Sequence, residues 1–403
     1  MNVCVLAHTS FGSDGRVRRE AECLARRGDA VDIFCLRRPG EMYHEIVTGM
    51  HVHRIKRYRK PTTPPSIFFH LILFFLISSV YVTYYYTRRH YDIIHIHSVP
   101  DFEVFAAFIP KVYGAGLILD IHDIMPEFYM TKFGLSEHNF MVRLIRYVER
   151  LSIRFADYVL TASPLFREKL IERSASPGKC ATIINLPDFD YFRPQERSPS
   201  GDHRPFRLVY AGTLSVHHGV DVAIRAIRLI SDNGSIPIEL HIYGTGPERE
   251  RLASLVGALN LQDIVFFHPQ VPIEEIARIL PSMDIGIVPK RGGLFADLAM
   301  STKLFEFAAV GLPAVVSRTP ADALYFDDTM VLFFEAGNER ELAECIIRLC
   351  QDPQCRNRLA ANARTVFQRV TWEAVQKDFC AIVDRVHLHA QARRCGFRLT
   401  RCR

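Results

Sequence analysis

Hydrophobic and polar positions along the chain follow two alternating periods. Short runs rich in β-branched and aliphatic residues occur at Val3–Ala7, Ala30–Leu36, His51–Ile55, Asp92–His97, Gly116–Ile121 and Asp157–Thr161. Several are apolar throughout, as strands covered on both faces should be. Longer amphipathic stretches separate most of them, such as Gly15–Arg27 and Asn139–Phe155. The latter carries Met141, Leu144, Ile145, Val148, Leu151 and Ile153 near helical spacing. Strand runs alternating with helical stretches predict an α/β fold with parallel strands.

The pattern breaks between Leu186 and Pro205, where proline, serine and glycine dominate as in an interdomain linker. A second alternating series follows, with strands predicted at Phe206–Tyr210, Ile238–Tyr243, Ile264–Phe267, Asp284–Val288, Ala314–Ser317 and Met330–Phe333. Val220–Ile230 and Pro247–Leu259 read as helices between them, and Glu339 to Val386 as mostly helix. A length of 403 residues suits two domains. The boundaries predicted are an N-terminal Rossmann-like domain over 1–186, a linker over 187–205, a second Rossmann-like domain over 206–370, a terminal helix over 371–388 and a basic tail over 389–403.

One stretch departs from both periods. Pro61 to Thr87 contains no Asp, Glu, Lys or Arg, and Ile67–Tyr86 alone is long enough to span a bilayer. It lies between two strands of one sheet, however, and a single crossing would put them on opposite sides of a membrane. Basic residues flank both ends: Lys56, Arg57, Arg59 and Lys60 before it, Arg88 and Arg89 after. That symmetry lacks the charge bias of a spanning helix. With Tyr81, Tyr84, Tyr85 and Tyr86 at one end, a helix over about 64–87 lying in the interface of an anionic membrane fits best. A buried core helix and a spanning or re-entrant segment are the alternatives. The tail, with five arginines from Ala390 to Arg403, adds to the membrane contact or stays disordered.

Composition narrows the class. With 48% hydrophobic and 23% charged residues the chain is globular. A net charge of +6 suits phosphates or lipid headgroups but is far from a nucleic-acid footprint, and no nucleic-acid motif is present. The ten cysteines form no Cys-x-x-Cys pair and read as free thiols in a reducing compartment. The opening Met-Asn-Val-Cys-Val-Leu-Ala-His lacks a basic n-region and reads as a first strand.

Candidate chemistry sits where strands end. His8–Arg16, with Gly12 and Gly15, follows the first strand and opens a helix. Its glycines let backbone approach a ligand and the helix N-terminus favours phosphate; a plain tight turn is the bland alternative. In the second half, Gly212-Thr213-Leu214 leads through His217-His218-Gly219 into a helix, and Gly244-Thr245-Gly246-Pro247 follows the next strand. Two such loops in consecutive units carry more weight than one. In Ser301-Thr302-Lys303-Leu304-Phe305-Glu306, Ser301 reads as an N-cap and Lys303 falls in the first helical turn. A cation there opposes the helix dipole unless an anion neutralises it, which suits a diphosphate. Glu306 is placed to accept from ribose hydroxyls. A surface lysine and a buried glutamate are the alternative.

These blocks together resemble the retaining GT-B glycosyltransferases of family 4. The resemblance rests on Gly212-Thr213 with His218-Gly219, Tyr243-Gly244-Thr245-Gly246-Pro247 and Lys303 through Val316. In the first half it rests on Asp14-Gly15-Arg16-Val17 to Gly28, Tyr91 to His97, and Leu119 to Asp123. It runs in order from residue 1 to about 385. It implies two Rossmann-like domains facing across a cleft, with C-terminal helices packing back toward the N-domain. A nucleoside diphosphate sugar donor would bind the second half and a glycan acceptor the first, with no further cofactor. Transfer would proceed with retention and without a metal, because fixed positive charge and helix N-termini stabilise the leaving diphosphate. His122 matches the histidine that faces the donor sugar, giving His122, Lys303 and Glu306 as the catalytic set. The donor would touch Gly12, Gly15, Gly212, Thr213, His218, Gly244 and Gly246 as well as Lys303 and Glu306. Asp14, Arg16 and His97 would face the acceptor, whereas His95 reads as packed.

Departures from the family pattern are specific. Where many members carry Gly-Arg-Leu and a following lysine, this chain has Thr213 and His218. Where many have two glutamates, Glu306 is the second, Leu298 stands at the first and Asp297 is one position off. Lys290 and Arg291 are candidates for the missing positive charge. Asp188-Phe189-Asp190 has the form of a metal clamp but matches an Asn/Pro/Asp/Phe stretch of the family instead. The expected function is transfer to a lipid-linked or membrane-proximal acceptor in surface polysaccharide assembly, at the cytoplasmic face of the membrane. A nucleotide-sugar epimerase or hydrolase of the same fold, and a non-catalytic partner subunit, are the rival readings.

Overall fold

The computed structural model describes residues 1–57, 64–194, 205–234 and 236–401. Arg59, Lys60 and residues 195–204 of the expected linker lie outside them. The chain divides into two compact units. The first comprises Met1–Pro126, Ser136–Ile184 and the chain from Trp372 on; the second comprises Glu127–Leu135 and Asn185–Thr371.

The first unit is built on β1 (Asn2–Ala7), β2 (Ala30–Arg37), β3 (His44–Val47), β4 (Met50–Arg57), β5 (Ile93–His97), β6 (Gly116–Ile121), β7 (Tyr158–Thr161) and β8 (Cys180–Thr182). They form one sheet in the order β3-β4-β2-β1-β5-β6-β7-β8. All pairs are parallel except the β3–β4 hairpin. Val5, Ile33, Ile96, Leu119 and Val159 on these strands are fully buried, as the near-continuous apolar runs required. β3 escaped the sequence pattern because it is an edge strand with alternating exposed positions. β8 escaped it because it is only three residues long.

Helices α1 (Gly15–Arg26), α2 (Pro64–Arg89), α3 (Phe108–Val112), α4 (Met125–Phe133), α5 (Phe140–Phe155) and α6 (Pro164–Arg173) connect the strands. Asp14 caps α1 by accepting from the Arg16 and Val17 backbone N–H groups. Gly28, at φ +94°, ends it in a backbone region costly for other residues. Most of α4 belongs to the second unit. The last helix, Trp372–Arg401, is longer than the sequence pattern predicted. It packs on β5, β6 and α1 of the first unit, and Gly116 permits this, because a Cβ there would meet Val386 at 2.8 Å. Arg393 and Arg394, assigned from sequence to a tail, bind Asp157 and the Tyr91 carbonyl and so fasten this helix to the sheet.

The apolar helix α2 is docked from Phe74 onward by a stripe at helical spacing: Phe74, Ser78, Val82 and Tyr86 are buried. Ser78 donates to Glu103, and the Tyr86 hydroxyl donates to the Tyr113 carbonyl at 3.1 Å. Its other faces remain exposed, with Phe68 and Phe69 at 63% and 62%. The helix is long and apolar enough to cross a membrane. It is not a core helix, since only one stripe is buried.

The second unit has β9 (Phe206–Ala211), β10 (Ile238–Tyr243), β11 (Val265–His268), β12 (Ile285–Val288), β13 (Ala314–Ser317) and β14 (Leu332–Phe334), in the order β11-β10-β9-β12-β13-β14 and parallel throughout. This is a doubly wound order that reverses between β9 and β12. The helices flanking it include α7 (Val220–Asp232), α8 (Arg249–Ala258), α9 (Ile273–Ile279) and α10 (Thr302–Val310). Leu208, Ile242, Ile285, Ile287, Val315 and Ile346 form its core.

Candidate active site

In a doubly wound sheet the loops beyond the carboxyl ends of the strands at the reversal point form a crevice. In the second unit these are the loops after β9 and β12. Gly212 follows β9 at φ +151°, and a Cβ on it would lie 2.3 Å from Lys303 Cε. The lysine therefore lies directly over the loop. Gly244, at φ +145°, presses on the Gly212 carbonyl, and Gly246 on the Leu214 carbonyl; added Cβ atoms would sit 2.0 and 2.2 Å away. Two backbone bonds join the loops, Gly212 N–H to the Tyr243 carbonyl (2.8 Å) and Leu214 N–H to the Thr245 carbonyl (3.0 Å). The glycines are thus required first for contact between the two loops. Thr213 is exposed, and its carbonyl accepts from the Tyr210 hydroxyl at 2.7 Å.

Lys303 lies in the first turn of α10, with its ammonium 5.2 Å from the Tyr210 ring centroid. Among the described residues it makes no ion pair. Burial lowers its pKa, with Glu306 opposing and Lys290 assisting. The two cations proposed as its substitutes are already neutralised. Lys290 pairs with Asp322 at 2.8 Å and donates to the Ala299 carbonyl at 2.7 Å; Arg291 pairs with Asp221 at 2.5 Å. Ser301 does stand at the N-cap, but its hydroxyl donates to Asp322 rather than capping the helix. Glu306 is buried one turn further along, while Asp297 and Leu298 sit in the turns before α10.

His218 is half-buried among cations, and desolvation and then Lys303 lower its pKa. The same causes, burial first, bring His217 down to about 4. His217 joins Phe128 and Phe295 in an aromatic cluster with ring centroids 5.3–5.9 Å apart. Sequence reasoning singled out neither these phenylalanines nor Tyr210 and Asp322. Phe128 lies on α4, Tyr210 on β9 and Asp322 on the short helix Pro320–Ala323, and their only signal was aromatic or acidic character. Asp188 accepts from the Asp190 N–H in a local turn, and Asp190 reaches Arg193 at 3.4 Å. The Asp-x-Asp pair is thus engaged within its own segment.

The first unit holds a second constellation at the ends of β5 and β6 and on α1. Arg16 grips Asp120 with both prongs, Nε to Oδ2 at 2.6 Å and Nη2 to Oδ1 at 2.9 Å, and donates to the Ile183 carbonyl. His97 Nδ1 and His122 Nε2 are 3.0 Å apart and share one proton between them. Asp120 Oδ2 lies 3.3 Å from His97 and 3.5 Å from His122. Only His122 has an exposed edge; His95 and His97 are buried. Arg16 and His97, expected at the acceptor surface, therefore lie beneath it, drawn inward by Asp120. Asp14 is occupied as the cap of α1. Gly12 lies in the short turn Phe11–Ser13 with open space where a side chain would project, and Gly15 begins α1.

Burial disfavours the Asp120 carboxylate, but Arg16 and then His122 overcome it and hold its pKa well below the carboxylate range. Burial also works against charge on His122, yet Asp120 outweighs it and raises the pKa. Burial pushes Glu20 up to about 8, with Arg16 opposing, and lowers both His95 and His97. Glu20, His95, His97 and Asp120 bring ligand-type atoms within 4.8 Å of one another. Both Asp120 oxygens are already bound to Arg16, which also lies 3.3 Å from Glu20, and burial favours the protonated form of Glu20. The group presents His122 backed by a fixed carboxylate, an arrangement that orients an imidazole and stabilises its charged form.

Two family models match the chain. Glycosyltransferase Family 4 matches residues 12–190 and Glycosyl transferases group 1 matches residues 205–352. A putative colanic acid biosynthesis glycosyltransferase of Salmonella typhimurium is 28% identical over 163 residues, 40% of this chain and 39% of that protein. The chain spans less than half the length of the first curated relatives it matches. Among solved structures, sucrose-phosphate synthase of Thermosynechococcus elongatus has a TM-score of 0.80 at 19% identity, covering 96% of this chain and 100% of that one. Anabaena HepE in complex with UDP-glucose has a TM-score of 0.71 at 16% identity, with coverage of 96% and 100%. These likenesses show the GT-B fold.

Proposed function

The chain belongs to the group 1, family 4 glycosyltransferases, and on that footing we propose that it transfers a sugar from a nucleoside diphosphate sugar onto a membrane-proximal, lipid-linked glycan. The observation that carries this is Lys303. It is a cation without an ion-pair partner among the described residues, set at the start of a helix and over the backbone of Gly212, with Lys290 and Arg291 already neutralised. Such a site favours a diphosphate. Glu306, in the same helix, is assigned to the ribose, and the loops at Gly212 and Gly244 to the phosphates. The complex of HepE with UDP-glucose supports the donor class.

In the transfer step the glycosidic bond to the leaving diphosphate breaks as the acceptor hydroxyl bonds to the same face of the anomeric carbon. The acceptor proton passes to the departing phosphate oxygen. Lys303 and the first turn of α10 stabilise the charge that develops there, so no metal is needed. His122, held by Asp120, is the imidazole assigned to the sugar. The relatives named for colanic acid and amylovoran assembly support a surface polysaccharide as product. The exposed apolar faces of α2 support work at a membrane surface. Leu298 and Thr213, at positions where many family members carry glutamate and arginine, favour a second reading, a partner subunit without activity.

The test is transfer from labelled nucleotide sugars to lipid-linked acceptors with EDTA present. The proposal expects transfer that survives chelation and a product with the donor's anomeric configuration. Donor binding without transfer across a broad acceptor panel would favour the partner subunit. Turnover of donor without acceptor would favour a hydrolase or epimerase.

A further inference from the structure

On one side of the first unit, three neighbouring helices expose apolar and cationic groups and no acid, whereas α6, which follows β7 on the same side, carries the exposed Glu168 and Glu172. The crossovers from β4 to β5, β5 to β6 and β6 to β7 all step in the same direction across the sheet. Right-handed connections therefore place α2, α3 and α5 on the same side. α2 packs on α3 and on the turns Asp101–Ala107, and α5 packs on those same turns. The rings of Phe105 and Phe108 lie 5.0 and 6.1 Å from Phe155. The three helices thus form one layer.

The outer side of this layer does not look like an ordinary solvated surface. Val80 and Tyr84 on α2, Phe108 and Tyr113 at α3, and Phe140 and Tyr147 on α5 are each between 47% and 74% exposed. On α5 the exposed positions alternate between these apolar groups and Arg143, Arg150 and Arg154. The only carboxylate on the three helices is Glu149. It is fully buried and bound by Arg173 at 2.8 Å and Ser174 at 3.1 Å. A solvated helix normally turns its aromatic residues inward and mixes both signs of charge outward. Among the described residues, Arg146 alone of the α5 arginines meets an acid, Glu137 at 3.7 Å; aromatic residues outward beside Arg143, Arg150 and Arg154 suit an interface that is apolar below and anionic above.

We propose that this face docks on an anionic phospholipid bilayer. α2 and α3 enter the headgroup boundary, and the arginines of α5 bind lipid phosphates. The inference rests on the membrane-proximal reading above and deepens it, by naming the α5 arginines that would recognise the lipid phosphates. Arginine suits the task because its planar fork holds a phosphate with two bonds while its stem lies along apolar surface.

The experiment is co-sedimentation of the full chain with vesicles of phosphatidylcholine alone and of phosphatidylcholine with phosphatidylglycerol. The wild-type chain should bind the anionic vesicles more tightly, and salt should weaken that preference. At roughly fivefold per cation, the triple variant Arg143→Gln/Arg150→Gln/Arg154→Gln should lose about a hundredfold on anionic vesicles and little on neutral ones. The triple Lys variant should keep most of the preference, and a circular-dichroism melt checks that all variants fold. Phe68→Ser/Phe69→Ser on α2 should weaken binding to both vesicles. Arginine variants that bind anionic vesicles like wild type would overturn the inference while leaving the membrane reading standing. A wild-type chain that binds neither vesicle would overturn both. Self-association lost in the Gln variant, without lipid binding, would assign the face to a second copy instead.

Discussion

Arg16 and Asp120 stand 104 positions apart in the sequence and meet in a buried, two-pronged ion pair. Helix α1 supplies one partner and the end of β6 the other, so the pair forms only when the first half-sheet is complete. Its location one strand from His97 and two residues from His122 ties the stability of the fold to the geometry of the candidate site.

Removing one partner of such a pair leaves a buried charge uncompensated. Arg16→Ala should destabilise the chain by about 3–5 kcal/mol, read as a lower urea midpoint. Arg16→Lys should recover only part of this, because an ammonium cannot grip both carboxylate oxygens. Arg16→Met/Asp120→Leu should be more stable than Arg16→Ala.

Glu20 gives a pH signature. Its folded pKa, pushed by burial to about 8, lies above the unfolded value of about 4.3. The folded state therefore binds the proton more tightly, and the stability this contributes is complete at low pH and lost as pH rises toward 8. Between about pH 5 and 8 the wild-type chain should lose stability relative to Glu20→Gln, in paired urea titrations. A constant difference across that window would mean that Glu20 is ionised in the fold.

How much of this was legible in the sequence depended on whether the signal was local. The buried strands of both sheets announced themselves by β-branched runs, since burial on both faces leaves no polar alternation to read, whereas the edge strand β3 and the three-residue β8 did not. Lys303 was legible because a cation in a first turn contradicts the helix dipole. Nothing local revealed that Lys290 and Ser301 would both turn to Asp322, because the partner arrives from a different crossover. Arg16 and His97 read as surface groups for the same reason. The apolar content of α2 was plain, but the stripe of Phe74, Ser78, Val82 and Tyr86 became its buried face only through the turns at Asp101–Ala107.

His122 separates binding from chemistry. A residue beside the reacting sugar acts mainly in the transition state. His122→Ala should therefore lower turnover by roughly a hundredfold or more while leaving donor affinity within a few-fold. Asp120→Asn, which removes the charge that raises the His122 pKa, should shift the pH profile of turnover toward lower pH.

Lys303, as the donor's diphosphate contact, is the residue on which the proposed chemistry depends most. Isothermal titration with UDP, ADP and GDP should find one that binds the wild-type chain. Lys303→Ala should weaken that ligand by about 1.5–3 kcal/mol, roughly tenfold to a hundredfold. Lys303→Arg should keep more of the affinity, and Thr213→Ala should change it little. Equal affinity in the wild-type chain and Lys303→Ala, or no nucleoside diphosphate bound at all, would contradict the account.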